Sequence, residues 1–118
     1  MDVSVIIPQG KNSNLDKDEV YLNHRDKFTI VVKNYLDVDF FTTVKYEENA
    51  IKTFVLRAKE TIEIARENLI FFKKGSIEAS AADLFSLNDL SHGVLTLDFI
   101  SDALKIKIKK IKRIKCPN

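Results

Sequence analysis

Apolar and polar positions alternate along much of the chain, and the period is two. Phe28, Ile30 and Val32 fall on one side of their segment, with Thr29, Val31 and Lys33 between them. The pattern resumes at Val38, Phe40, Thr42, Val44 and Tyr46, with Asp39, Phe41, Thr43 and Lys45 in the gaps. Period two with β-branched and aromatic residues predicts half-buried strands, and Asn34 to Asp37 is the turn between these two. Val3 to Ile7 alternates until Pro8 stops it, which predicts an edge strand. A polar loop runs from Gln9 to Glu19, and Val20 to Leu22 is a short strand.

The segment Ile51–Ala65 fits two templates. A helix would align Ile51, Val55, Ala58, Ile62, Ala65 and Leu69 and would pair Glu48 with Lys52. Strands would give Ile51-Thr53-Val55, a turn at Arg57–Glu60, and Ile62-Ile64. The strand reading is favoured because Phe54-Val55 and Thr61-Ile62 are β-favouring and the flanking segments alternate. Leu69 to Phe72 and Val94 to Ile100 are further strands, and Leu104, Ile106 and Ile108 open a last one. One short helix is predicted at Ser80–Leu90: Ser80 caps it, Leu84, Leu87 and Leu90 recur at spacing three, and Gly93 follows as a stop. The predicted class is mainly β: an antiparallel β-sandwich of about seven strands with that one helix.

At 118 residues there is room for one core, so residues 1–118 are read as a single domain with a basic C-terminal strand or tail over 104–118. The net charge is only +2, which argues against attraction of the whole protein to nucleic acid or membranes. The single cysteine, Cys116, forms no internal disulfide and is expected to lie in a frayed terminus. Asp2 stands where a signal peptide needs positive charge, and no stretch reaches the ~20 apolar residues of a membrane helix. The protein is therefore expected to be made in a reducing cytoplasm and to engage no membrane.

Val32-Lys33-Asn34 and Leu56-Arg57-Ala58-Lys59-Glu60-Thr61 follow the strand-ending Val-x-Asn and the Leu-x-Ala-x-Glu-Thr turn of immunoglobulin-like β-sandwich modules of bacterial and phage structural proteins. Lys27 to Ile64, about a third of the chain, resembles such modules. The Cys pair and Trp of antibody domains are missing. Asp83 to Leu90 followed by Gly93-Val94-Leu95-Thr96 is also similar to helix-then-strand passages in phage virion proteins. The resemblance implies a structural subunit of a virion, in its capsid or tail.

Little in the sequence suggests catalysis. His24 and His92 are the only histidines and sit in no zinc-binding spacing. Ser86 and Ser91 lack a nucleophile elbow, and three glycines build no phosphate loop. Asp37 and Asp39 flank a turn and read as solvated. The Asn12–Glu19 loop has alternating oxygen ligands, but Lys17 and Asn23 stand where a calcium loop needs Gly and Glu. The expectation is a non-enzyme with no metal and no cofactor.

Two surfaces remain. In Phe40-Phe41 and Phe71-Phe72, neighbours on a strand face opposite sides, so one of each pair points away from the core. Phe41 and Phe72 are the candidate contacts with other protein subunits, whether copies of this chain or other components of an assembly. The second surface is the acid-free run of Lys105, Lys107, Lys109, Lys110, Lys112, Arg113 and Lys115. It reads first as a lysine-protected edge strand with a bulge at Lys109-Lys110. The alternative is a phosphate-binding stripe for nucleic acid. The favoured function is a non-catalytic structural or interaction subunit of a larger assembly, with nucleic-acid binding as the alternative.

Overall fold

The computed structural model describes residues 2–12, 18–47, 49–71, 89–90 and 93–116. Ten strands follow in order: β1 (Val3–Ile6), β2 (Lys11–Asn12), β3 (Glu19–Tyr21), β4 (Lys27–Asn34), β5 (Phe40–Tyr46), β6 (Asn49–Leu56), β7 (Thr61–Phe71), β8 (Asp89–Leu90), β9 (Gly93–Ser101) and β10 (Ile106–Lys115). They form a four-stranded sheet ordered β1-β4-β7-β8 and a six-stranded sheet ordered β2-β3-β10-β9-β5-β6. The protein is mainly β, and no helix occurs among the described residues.

The alternation decides which side of each strand is buried. Phe28, Ile30 and Val32 of β4, Phe40, Val44 and Tyr46 of β5, and Leu95, Leu97 and Phe99 of β9 are all within 2% exposure. Side chains from both sheets join in one apolar cluster. Phe40 and Phe99 meet edge to face at 6.1 Å, where the positive ring edge meets the negative face. Each such buried side chain contributes roughly 1.5–3 kcal/mol.

Several expectations need correction. The described residues form ten strands rather than about seven, because the polar Gln9–Glu19 loop contains β2 and two residues form β8. The expected strands at Ile62–Ile64 and Leu69–Phe72 join as β7, whose register against β4 shifts between Phe28 and Ile30. The sheets are not wholly antiparallel: β10 pairs with β3, and β7 with β8, in parallel. The predicted helix Ser80–Leu90 lies outside the described residues except for Asp89 and Leu90, which are strand. Ile51–Ala65 is strand, turn and strand, but β6 faces Phe54 and Leu56 inward and leaves Val55 exposed. Gly93 opens β9, where a Cβ would lie 2.5 Å from Tyr46 Oη.

Two of the connections that change sheets lie side by side, and one side chain ties them together. Residues 35–39 lead from β4 to β5, and residues 57–60 lead from β6 to β7. Asn34 is fully buried between them. Its Nδ2 donates to the carbonyls of Val38 (2.7 Å) and Arg57 (3.0 Å), and its Oδ1 accepts from Leu36 N–H at 2.9 Å. Its main-chain N–H donates to the Glu60 carbonyl at 2.9 Å. Asp39 Oδ1 accepts from Ala58 N–H at 2.7 Å, adding a second tie. The 57–60 turn closes on itself through Glu60 N–H to the Arg57 carbonyl, with Lys59 in the left-handed region at φ 60. The residues of the Val-x-Asn and Leu-x-Ala-x-Glu-Thr patterns therefore meet in space.

Two stability outcomes follow. Asn34→Ala strips buried partners from two carbonyls and one N–H, and should cost roughly 2–4 kcal/mol. Urea unfolding should show a lower midpoint at an unchanged slope. Thr42 Oγ1 is buried and has no hydrogen-bond partner among the described residues. Thr42→Val should raise stability by roughly 1 kcal/mol, because the methyl carries no desolvation cost; a lower midpoint would contradict this.

Candidate interaction surface

The Phe40-Phe41 pair splits across β5 as the alternation requires. Phe40 is fully buried, and Phe41 is 53% exposed on the outer face of the six-stranded sheet. Phe41 stands in register with Val55 of β6 on one side and Ile100 of β9 on the other. Val55 is 56% exposed, so the three side chains form an apolar stripe that runs to β6, the edge of the sheet. Leu104, 60% exposed, lies in the turn that follows β9. Phe71 is buried in the core, and Phe72 lies outside the described residues. Val55 was hidden in the sequence by the ambiguity of Ile51–Val55, since either parity of that strand buries apolar residues.

The basic C-terminal segment is not the outermost strand of its sheet: β10 lies between β9 and β3. β10 pairs with β9 in unbroken antiparallel register from Ile106↔Ser101 to Ile114↔Gly93, and no bulge interrupts Lys109-Lys110. On its other side, β3 pairs only with Arg113, Ile114 and Lys115. Strand alternation then divides the cations. Lys107, Lys109, Arg113 and Lys115 share the outer face, Lys110 and Lys112 take the inner parity with buried Ile114, and Lys105 sits in the turn at φ 52.

Carboxylates meet both sets. Lys110 Nζ lies 3.1 Å from Asp2 Oδ1, and Lys115 Nζ lies 3.0 Å from Glu19 Oε1. On the outer face Lys45 reaches Asp98 at 3.2 Å. Lys107, Lys109 and Arg113 make no ion pair among the described residues. A single phosphate-gripping stripe of all seven cations is therefore not assembled. Between β1 and β10 lies a cleft of about 530 Å³, lined by residues that include Asp2, Val5, Asp18, Lys109, Lys110 and Lys112.

The remaining candidates have structural partners or lie outside the described residues. Asp39 holds the 57–60 turn, while Asp37 is exposed. His24 lies in the turn at Asn23–Asp26, closed by Asp26 N–H to the Asn23 carbonyl at 3.0 Å. His92, Ser86, Ser91 and residues 13–17 of the polar loop lie outside the described residues. Cys116 is half-buried against the core instead of frayed. Among the described residues no three His, Cys, Asp or Glu side chains cluster as metal ligands, and no helix is long and apolar enough to cross a membrane. Comparison with protein-family models, curated proteins and solved structures returned no match.

The Glu19 carboxyl is held below the usual carboxylate range, first by the Tyr21 hydroxyl that donates to it at 2.6 Å and then by Lys115. Its folded-state pKa is depressed. Its contribution to stability is thus present above the ordinary carboxylate pKa and lost as pH falls through the depressed value. Tyr21→Phe should raise the Glu19 pKa toward the ordinary carboxylate value, as read by NMR titration of the carboxyl carbon; an unchanged pKa would contradict the part given to the hydroxyl.

Proposed function

We propose that this protein is a non-catalytic structural or interaction subunit that assembles with other protein subunits through the outer face of its six-stranded sheet. The observation that carries this reading is the in-register stripe of Ile100, Phe41 and Val55, with the last two more than half exposed. Leaving such residues in water forgoes burial worth roughly 1.5–3 kcal/mol each and invites association. The net charge of +2 offers little repulsion to oppose it. Among the described residues the stripe borders the last strand of the sheet, β6, where a partner would gain apolar contact and main-chain pairing together.

The shared core of the two sheets supports a β-sandwich, while the immunoglobulin-like type and the setting of a virion capsid or tail component rest on the resemblance of Lys27–Ile64 to such modules. The meeting of the Val-x-Asn and Leu-x-Ala-x-Glu-Thr residues at Asn34 supports the same reading. The nucleic-acid alternative has less support, since the cations that would serve it are split between two faces, Lys110 and Lys112 on one and Lys107, Lys109, Arg113 and Lys115 on the other.

The test compares the natural chain with Phe41→Ser by sedimentation velocity over a concentration series. The natural chain should associate as concentration rises, and the variant should stay monomeric with a melting midpoint little changed, because an exposed position bears little on stability. A natural chain that remains monomeric at high concentration, with Phe41 replaceable by Ser at no cost to solubility or assembly, would overturn the reading.

A further inference from the structure

The four-stranded sheet has an outer face whose pattern answers that of the six-stranded sheet. Ile6 of β1 stands in register with Val31 of β4, and Val31 with Glu63 of β7, so the three form one cross-strand row. Alternation turns this row outward, because Val5, Ile30, Val32 and Ile64 beside it are buried. Ile6 is 49% exposed, Val31 is half-buried and Glu63 is exposed. On the far side of the shared core, the row of Phe41, Ile100 and Lys107 has the same order: two apolar positions, then a charge of the opposite sign. Lys107 is exposed, and neither it nor Glu63 makes an ion pair among the described residues.

Both rows step across strands at the usual spacing of about 4.8 Å, so they match position for position. Laid face to face, Ile6 comes over Phe41, Val31 over Ile100, and Glu63 over Lys107. The neighbouring positions agree. Lys33 is exposed two residues from Val31, and Asp98 and Asp102 stand two residues to either side of Ile100. Whichever way the strands of the two faces run, Lys33 is brought toward an aspartate. A six-stranded face stacked on its own copy supplies no carboxylate in this row, which holds Val55, Phe41, Ile100 and Lys107. We propose that the Phe41 stripe docks on the outer face of the four-stranded sheet of a second copy, in a head-to-tail contact that sets Glu63 against Lys107. The inference rests on the reading that the Phe41 face serves assembly, and it names the partner. Each copy carries one face of each kind, so the contact repeats and builds a ring or a filament instead of stopping at a dimer.

Charge reversal on the full chain, read by sedimentation velocity over a concentration series, tests the pairing. The natural chain should form species larger than a dimer. Glu63→Lys and Lys107→Glu, both at exposed positions, should each weaken association by at least about tenfold, because like charges then face each other. An equimolar mixture of the two variants should recover it, since every contact between unlike chains again joins a Lys to a Glu. The double variant Glu63→Lys, Lys107→Glu should recover it as well. Ile6→Ser should weaken association as Phe41→Ser does. Failure of the mixture and of the double variant to associate would overturn the inference. Association that Phe41→Ser abolishes but Glu63→Lys and Ile6→Ser leave untouched, or a natural chain that stops at a dimer, would overturn it while the Phe41 reading stands. A natural chain that stays monomeric would overturn both.

Discussion

The buried side-chain amide of Asn34 is the constraint on which the other surfaces depend. It satisfies groups from two sheet-changing connections at once: the Val38 carbonyl and Leu36 N–H from residues 35–39, and the Arg57 carbonyl from residues 57–60. A buried polar group left unpaired costs about 1–3 kcal/mol, so neither connection can shift without orphaning part of this set. The corner also fixes what comes next in each direction. β5 begins at Phe40, immediately after one connection, and β6 ends at Leu56, immediately before the other. Their register at this end, Phe40↔Leu56 and Phe41↔Val55, follows from where the two connections are tied. A slip of one residue would turn Phe40 outward and Phe41 inward. The apolar stripe on the outside and the packed core on the inside are thus two consequences of one junction.

The unequal sheets account for the charge pattern. In the six-stranded sheet β10 has β9 along Ile106–Ile114, and β3 pairs with its last residues, Arg113–Lys115. Its lysines consequently serve different ends. Alternation gives Lys110 the inner parity, where Asp2 meets it across the cleft, and Lys115 is tied to Glu19 where β3 runs alongside. Lys107 and Lys109 have no such carboxylate among the described residues and face solvent. A charge-dense segment that looks uniform in the sequence is divided by the period of the strand and by the reach of its neighbours.

Much of the fold was legible because the alternation is strong. The burial of Phe28, Ile30, Val32, Phe40, Val44 and Tyr46, the outward turn of Phe41, and strand character on both sides of Arg57–Glu60 follow from period two alone. Other features depend on long-range pairing that local pattern does not encode. Whether Lys105–Lys115 forms an edge or an interior strand is decided by β3, which lies nearly a hundred positions earlier in the chain and runs parallel to it. The parity of β6 was ambiguous because Ile51, Val55, Phe54 and Leu56 offer apolar residues to both faces; pairing with β5 broke the tie. Cys116 was read as frayed because it is near the end of the chain, yet β10 carries it against the core. Asn34 stood out only as part of a short pattern, and its role needs both connections in place to be seen.

The central claim is that association uses the outer face of the six-stranded sheet, and methyl-detected NMR over a concentration series tests it most directly. Fully buried Ile30 is the internal reference. The account predicts that the methyl signals of Val55 and Ile100 shift or broaden as concentration rises, while those of Ile30 hold still. Signals of Val55 and Ile100 that stay constant at every concentration, or changes confined to Ile6, would contradict it.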